Sequence, residues 1–483
     1  MARFAADPAS LRRHRVPAWF EDAKLGIFVH WGLSCIPAWA PRAGSLVELL
    51  RERPRDLQRH SPYAEWYWNA LRIPGSPAAR HHAEVWGDAP YQAFRAPFDA
   101  MLQRWDPEPW ADLFAASGAR YVVQVTKHHD GFCLWPTALQ NPNQRDWAAT
   151  RDVVGDLAAA VRSRGLRFGV YYSGGLDWTF EPRPIVGVAD ALAAVPLDPA
   201  YERYVDAHYR ELVARYQPSV LWNDISYPPH AGALWRLMAD YYEAVGEGVV
   251  NDRFLPAPAW LARALRARPL AALADTLAGL SARRPGFTFA PPRPPHGDFR
   301  TPEYASFPDA KPFKWEATRG IGHSFGFNDN EDEANLIDPG ELVRSFADGV
   351  AKNGNLLLNV GPTREGEIHP RERARLEALG AWLAVNGEAI YETRPWRRAE
   401  GTTQDGVSVR FTARKSHVYA ILLGAPRAGD VRIRDLALGG RATVRLLGYG
   451  ALPWRAAGGA LVVAWPPGLA PAPAYAIACD GAA

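Results

Sequence analysis

Along the chain, short apolar-rich segments alternate with longer stretches in which apolar residues recur every three to four positions. The short segments, at residues 24–31, 121–126, 166–172, 220–224, 249–253, 313–317 and 356–360, read as strands, with 24–31 and 220–224 as buried ones. Helical spacing fills residues 110–118, 152–164, 201–216, 234–245, 340–352 and 372–390, with Gly118 and Gly165 as stop signals. Strand–helix order repeated in this way implies an α/β fold around a parallel sheet, closed or doubly wound. Past residue 394 the texture changes to short β-type runs, at 407–412, 417–423, 442–447, 461–465 and 475–478, separated by Gly and Pro turns. That pattern predicts a small antiparallel β-sandwich over residues 395–483, after a first domain of residues 1–394. Two segments break the alternation. Residues 40–109 read as loop-rich and dense in Trp, Tyr, Pro and His, and residues 255–297 as an Ala/Leu/Arg helical stretch followed by a proline run. The second is an insertion that fits a lid, an oligomer contact or a solvated excursion, so a homo-oligomer is one open expectation.

Composition then narrows the class. The 483 residues suit two domains, or one barrel with an appendage. Basic residues number 55 against 52 acidic, a net charge of +3, and no basic stripe interleaved with stacking aromatics is present. Nucleic acid is therefore not an expected partner. No run approaches the ~20 apolar residues of a membrane span, and the first residues lack the apolar core of a secretory leader. The expectation is a cytoplasmic protein with no membrane partner. Cys35, Cys133 and Cys479 are widely spaced and odd in number, which predicts reduced thiols. The 19 Trp fit large cores, but several stand beside His, Asp and Glu, where an aromatic face also stacks on a sugar ring.

The candidate chemistry sits at strand ends. Asp224 closes the run 220–224, and in a barrel the C-terminal end of each parallel strand faces the active site. A carboxylate buried there needs specific partners. Glu303, within residues 298–304, is the second candidate, and two carboxylates in surroundings rich in Trp, His and Tyr suggest glycoside hydrolysis. His30 ends the first run, while His128 and His129 follow the second. For the histidine pair, metal binding, hydroxyl recognition and a structural role are all open, but no His-x-x-x-His spacing or Cys pair accompanies it. No metal and no cofactor is expected. Glu65 and Trp66 lie in an acidic and aromatic cluster at 65–68. Asp252 reads as an ion-pair partner of Arg253, which is also placed to steer a substrate oxygen or to hold a nucleophile ionised. Asp130 and Glu316 are weaker candidates. Phosphate-binding glycine loops are absent, which argues against phosphoryl transfer.

Taken together, the segments resemble the α-L-fucosidases of glycoside hydrolase family 29. The resemblance is carried by residues 24–32 (KLGIFVHWG), 63–67 (YAEWY), 126–132 (TKHHDGF), 169–173 (GVYYS), 221–224 (LWND), 251–253 (NDR), 298–304 (DFRTPEY), 324–328 (SFGFN) and 353–362 (NGNLLLNVGP). It implies a (β/α)8-like TIM barrel followed by a β-sandwich, and hydrolysis of terminal α-L-fucosides with retention of configuration. Carried over motif by motif, it makes Asp224 the nucleophile and Glu303 the general acid/base. His30, Glu65, Trp66, His128, His129 and Arg253 would hold the sugar's oxygens, and Phe28, Tyr63, Tyr171, Trp222 and Phe325 would wall the C5 methyl group. The chain departs from the pattern in one place, where residues 254–297 separate the Asn-Asp-Arg motif from Glu303. Related readings are a retaining hydrolase of a similar sugar such as an α-L-galactoside, a transfucosidase, and a fucose-binding protein without catalysis. The expected partner in each is a small molecule or oligosaccharide ending in such a sugar.

Overall fold

The computed structural model describes residues 3–284, 287, 292–427 and 429–481. Seven parallel strands are hydrogen-bonded side by side: β1 (Leu25–Val29), β2 (Tyr121–Lys127), β3 (Arg167–Ser173), β4 (Val220–Asp224), β5 (Val249–Val250), β6 (Trp315–Gly320) and β7 (Gly354–Val360). Their order is β5-β4-β3-β2-β1-β7-β6, so the first and last strands of the chain order are neighbours, as in a barrel. The gap between β5 and β6 is filled by residues 298–304. There the Asp298 N–H donates to the Val250 carbonyl (2.9 Å), while on the other side the Arg300 N–H donates to Lys314 (3.0 Å) and the Tyr304 N–H to Thr318 (2.9 Å). Parallel bridges pair Asn251 with Phe299, Arg300 with Trp315 and Glu303 with Thr318. This segment is the eighth stave of the barrel, and Glu303 stands near its end.

The strands form because their residues are buried on both faces, the pattern expected of a sheet enclosed by helices. Phe28, Val123, Val125, Val220, Trp222, Phe299 and Leu357 fill the interior of the barrel. Among the helices are α1 (Leu46–Glu52), α2 (Glu108–Ala116), α3 (Val153–Ser163), α4 (Val188–Ala193), α5 (Pro199–Tyr216), α6 (Ala231–Ala244), α7 (Ala259–Ala264), α8 (Arg268–Ala282), α9 (Pro339–Ala351) and α10 (Pro370–Asn386). From Arg394 onward, a six-stranded and a three-stranded antiparallel sheet pack around Val409, Phe411, Val431, Leu461 and Ile477. Trp382 on α10 donates to the Ala474 carbonyl (2.9 Å), and Lys352 pairs with Glu400 (2.8 Å), joining the sandwich to the barrel.

Two readings of the sequence change, and the third, a helical insertion, holds and gains packing partners. The strand expected at 249–253 stops at Val250, because Asn251 and the residues after it turn to meet the eighth stave. The segment 40–109 is largely short helices, started by caps that outweigh its polar composition. Ser45 and Glu48 form a capping box at α1, and Ser76 caps a helix with Pro77 at its first position. The insertion at 255–297 contributes α7 and α8, which pack on α1 and α4 through two small apolar clusters. Of its proline run, Pro291 lies outside the described residues.

Candidate active site

A cavity of about 310 Å³ opens at the C-terminal ends of the barrel strands. All thirteen residues carried over from the family motifs line it: Phe28, His30, Tyr63, Glu65, Trp66, His128, His129, Tyr171, Trp222, Asp224, Arg253, Glu303 and Phe325. They come together because each follows or ends a stave, or lies on the segment covering its mouth.

Arg253 organises the floor. Its Nη1 donates to Asp224 Oδ1 (2.7 Å), its Nη2 to Glu303 Oε2 (3.0 Å), and its Nε to Thr301 Oγ1 (3.1 Å). Its Cζ lies 4.7 Å from the centre of the Trp222 ring. Burial alone would lower the guanidinium's pKa, but Asp224 and Glu303 together carry it upward, so it is charged at every working pH. Each carboxylate has a second donor. Tyr171 donates to Asp224 Oδ2 (2.7 Å), and Tyr63 donates to Glu303 Oε1 (2.7 Å). These tyrosines therefore do more than wall the pocket. Burial, reinforced by the adjacent carboxylate, raises both phenol pKa values, so each remains a donor. Asp252 is not the partner of Arg253 that its position suggested: its carboxylate pairs with Arg300 (2.5 Å) and accepts from Thr301 Oγ1 (2.6 Å), which steadies the eighth stave.

The backbone after each carboxylate is unusual. Ile225 has φ 65° and Tyr304 φ 47°, a left-handed conformation that a β-branched residue such as Ile adopts only at a cost. At Ile225 this turn brings its N–H within 2.8 Å of Asp224 Oδ1, a third donor to that carboxylate. The strain sits where the geometry of the two acids is set.

The histidines are neutral acceptors. Burial lowers the His30 pKa to about 4, and it also lowers those of His128 and His129. His30 Nδ1 lies 2.5 Å from Asn359 Oδ1, and the Asn359 amide donates to the Phe325 carbonyl (2.6 Å), so His30 must carry its proton on Nδ1. His129 follows the same logic. Its Nδ1 meets Ser173 Oγ (2.6 Å), whose proton goes to the Leu176 carbonyl (2.7 Å), leaving Nε2 unprotonated and 3.7 Å from Asp224 Oδ2. Each ring thus keeps Nε2 as an acceptor for a ligand hydroxyl. The strand ends at Lys127, whose ammonium is buried against Asp177 (2.9 Å), which lets both following histidines reach one pocket. Gly131, at φ 77°, completes that turn, and a side chain there would strike Asp177.

Glu65 accepts from the Gly326 N–H (2.7 Å) and the Ser324 hydroxyl (3.3 Å). Burial nonetheless raises its pKa to about 7. Trp66 stands edge-on to His129, 5.0 Å between centroids, and Phe325 lies 5.0 Å from His30 and 5.4 Å from Tyr63. The weaker candidates are engaged elsewhere. Asp130 accepts from Tyr91 (2.8 Å) and the Phe132 N–H (3.1 Å), and Glu316 accepts from Tyr121. Among the described residues, no three His, Cys, Asp or Glu side chains are arranged to hold a metal ion.

The rest of the cavity wall was not anticipated. Leu46, Val47 and Leu50 of α1, Leu57 and Gln58 after it, Val188 and Ala191 of α4, Ile225, Pro292 and Thr318 also line it. The capping box before Leu46 was the available signal, but it lay in a segment read as loop.

Two carboxylates sharing one arginine, at the strand ends of an eight-staved barrel and among neutral histidines and aromatic rings, are the equipment of a glycoside hydrolase. The sequence model of the family described as Alpha-L-fucosidase matches residues 1–388, and the chain belongs to that family. Tissue alpha-L-fucosidase of Rattus norvegicus is 31% identical over 459 residues, 93% of this chain and 86% of the rat one. Its Homo sapiens counterpart is 30% identical over 465 residues, 94% and 85% of the two chains. The alpha-L-fucosynthase of Thermotoga maritima in complex with alpha-L-Fuc-(1-2)-beta-L-Fuc-N3 superimposes with a TM-score of 0.83 at 39% identity, covering 99% of this chain and 100% of that one. The Thermotoga maritima alpha-fucosidase in complex with a mechanism-based inhibitor gives 0.82 at 38% identity, with 99% and 100% covered.

Proposed function

We propose that the protein hydrolyses terminal α-L-fucosides with retention of configuration, Asp224 acting as nucleophile and Glu303 as acid and then base. The observation that carries this reading is the single guanidinium of Arg253 touching both carboxylates. A bridge of that kind favours the closer of the two carboxylate spacings used by glycosidases, about 5–5.5 Å for retention against 6.5–9.5 Å for inversion. In the first step Asp224 attacks the anomeric carbon while Glu303, in its acid form, gives its proton to the departing glycosidic oxygen. The C–O bond to the aglycone breaks and a fucosyl ester on Asp224 forms. Glu303, now a carboxylate, takes a proton from water as the water displaces Asp224 and releases fucose. Arg253, Tyr171 and the Ile225 N–H hold Asp224 in one orientation. His30 and His129, each an acceptor at Nε2, and Glu65 take the sugar's hydroxyl protons, while Phe28, Trp222 and Phe325 face its methyl group.

The test is release of nitrophenol from 4-nitrophenyl α-L-fucoside by the wild type, Asp224→Gly and Glu303→Ala, with azide added to the variants. Turnover by the wild type, near-total loss in both variants, β-fucosyl azide from Asp224→Gly and α-fucosyl azide from Glu303→Ala are expected. The same azide anomer from both variants would remove the assigned roles. The three cysteines are free and buried, which supports a reducing cytoplasm as the site of action; fractionation of the source cells checks it.

A further inference from the structure

Beyond the sugar site, the same cavity continues between α1, α4 and the insertion, and its character changes there. The collar is made by Leu46, Val47, Leu50, Val188, Ala191 and Pro292. Leu46, Val47, Val188 and Ala191 are half-buried: Leu46 and Val188 rest partly on a cluster behind them and Ala191 on the main core, and all four also line the cavity. Leu50 continues outward into this small buried cluster with Leu49, Leu57 and Ala282, the last of these on the insertion helix, and the Asp275 carboxylate of α8 accepts from the Ala189 N–H of α4 (2.7 Å). The insertion therefore braces the collar from outside. The collar's polar side chain is Gln58, buried, with an Oε1 that has no hydrogen-bond partner.

We propose that this collar is the aglycone subsite, and that it takes a hydrophobic alcohol, alkyl or fused-ring, with at most one hydroxyl for Gln58 to accept. The proposal rests on the fucosidase reading above, since the collar lines the same cavity as Asp224 and Glu303. A sugar aglycone would bring several hydroxyls against these aliphatic side chains. Each hydroxyl left unpaired there would lose on the order of tenfold in binding. An alkyl chain gains instead, about fourfold for each methylene fully buried.

The experiment compares kcat/KM for methyl and octyl α-L-fucoside, which have leaving groups of similar acidity, with the trisaccharide L-Fuc-α(1→2)-Gal-β(1→4)-Glc, and with α-L-fucosyl fluoride. The fluoride carries no aglycone and reports the sugar site alone. Octyl is expected to exceed methyl by about 50-fold or more, burial of roughly half its chain at the per-methylene factor, and to exceed the trisaccharide. Val47→Asn combined with Val188→Asn should pull the octyl-to-methyl ratio below about fivefold, and Leu46→Gln, at the open start of α1, should lower it by a smaller factor. Fluoride turnover by the variants certifies that the barrel is folded. An octyl-to-methyl ratio within threefold in the wild type, a trisaccharide preferred tenfold over octyl, or an undiminished ratio in the folded variants overturns the proposal. No hydrolysis of the fluoride by the wild type overturns the fucosidase reading itself.

Discussion

The floor of the cavity and its roof are built on opposite plans. On the floor, residues at the ends of the barrel staves are locked by charge-assisted hydrogen bonds: Asp224 by Arg253, Tyr171 and the Ile225 N–H, Glu303 by Arg253 and Tyr63. The roof is a stack of short helices held by small satellite clusters. In α8 the usual arrangement is inverted. Ala271, Asp275, Gly279 and Ala282 face inward, while Leu270, Leu273, Leu277 and Leu280 are each about half exposed. The small inner face lets α8 approach α1 closely enough that a Cβ at Gly279 would lie 2.7 Å from Pro54 and 3.2 Å from the Leu50 carbonyl. The difference teaches where precision is needed. Reacting atoms demand directional contacts on rigid elements, whereas a wall that only excludes water and accepts apolar surface needs shape alone.

The comparison breaks most sharply at Arg253. Arg253→Met should lower kcat/KM on α-L-fucosyl fluoride by about 10²–10³-fold, the loss typical of removing one preorganised donor. Leaving two buried carboxylates uncompensated should also cost about 3–5 kcal/mol in urea unfolding. A loss of activity under tenfold would mean that the floor is not the rigid element described. Next in size is the roof. Gly279→Val forces α8 away from α1, with an expected cost of about 1–3 kcal/mol seen as a lowered Tm. Fluoride hydrolysis should survive within a few-fold, and its disappearance would show that the two regions are not separable.

Glu65 sharpens the comparison through pH. Its carboxyl ionises at about 7 in the folded protein, against about 4.3 in the unfolded chain. Between those values the folded state holds the extra proton, so stability from this group falls as pH rises through that window and is level above it. Glu65→Gln should therefore gain Tm relative to the wild type between pH 5 and pH 8. The same ionisation creates a stronger acceptor for sugar hydroxyls, so fucose Kd in the wild type should tighten three- to tenfold from pH 6 to pH 8 and stay flat in the variant. Opposite or absent trends by calorimetry would remove Glu65 from hydroxyl recognition. The smallest effect is expected at the outer face of α8. Leu273→Gln and Leu277→Gln should each change monomer stability by no more than about 0.5 kcal/mol, because neither side chain is buried; a larger fall in Tm would show that this face is covered.

The floor was legible in the sequence for a physical reason. A strand enclosed in a barrel has no solvent-facing side, so its residues are mostly apolar, and the polar residues at its C-terminal end mark the pocket. Asp224, His30 and His128 announce themselves in that way, and the motifs around them carry the family resemblance. The eighth stave does not. Residues 298–304 hold Pro302 and alternate charged with aromatic side chains, and their pairing rests on isolated bridges to both neighbours, a contact invisible to local pattern. Glu303 was found through its motif, not through a strand. The roof escaped because α1 is a short capped helix in a polar segment, and because α8 presents its large apolar residues to the outside, where periodicity assigns the wrong face to the core. The partner of Asp252 was missed since Arg253 adjoins it in sequence while Arg300 reaches it only through the fold.

The late placement of the eighth stave has a kinetic side. Asn251 and Phe299 bridge across 48 positions, and β1 pairs with β7 across more than 300, so closing the barrel means joining ends brought together by nearly the whole chain. Loops of that length are slow to close, and helices and neighbouring strand pairs form sooner. Asp224 and Glu303 belong to staves on either side of β5, so they meet across Arg253 once the eighth stave has joined β5. A refolding chain would recover its helical circular dichroism well before it recovers a single turnover, and the lag between the two would time the final act of assembly.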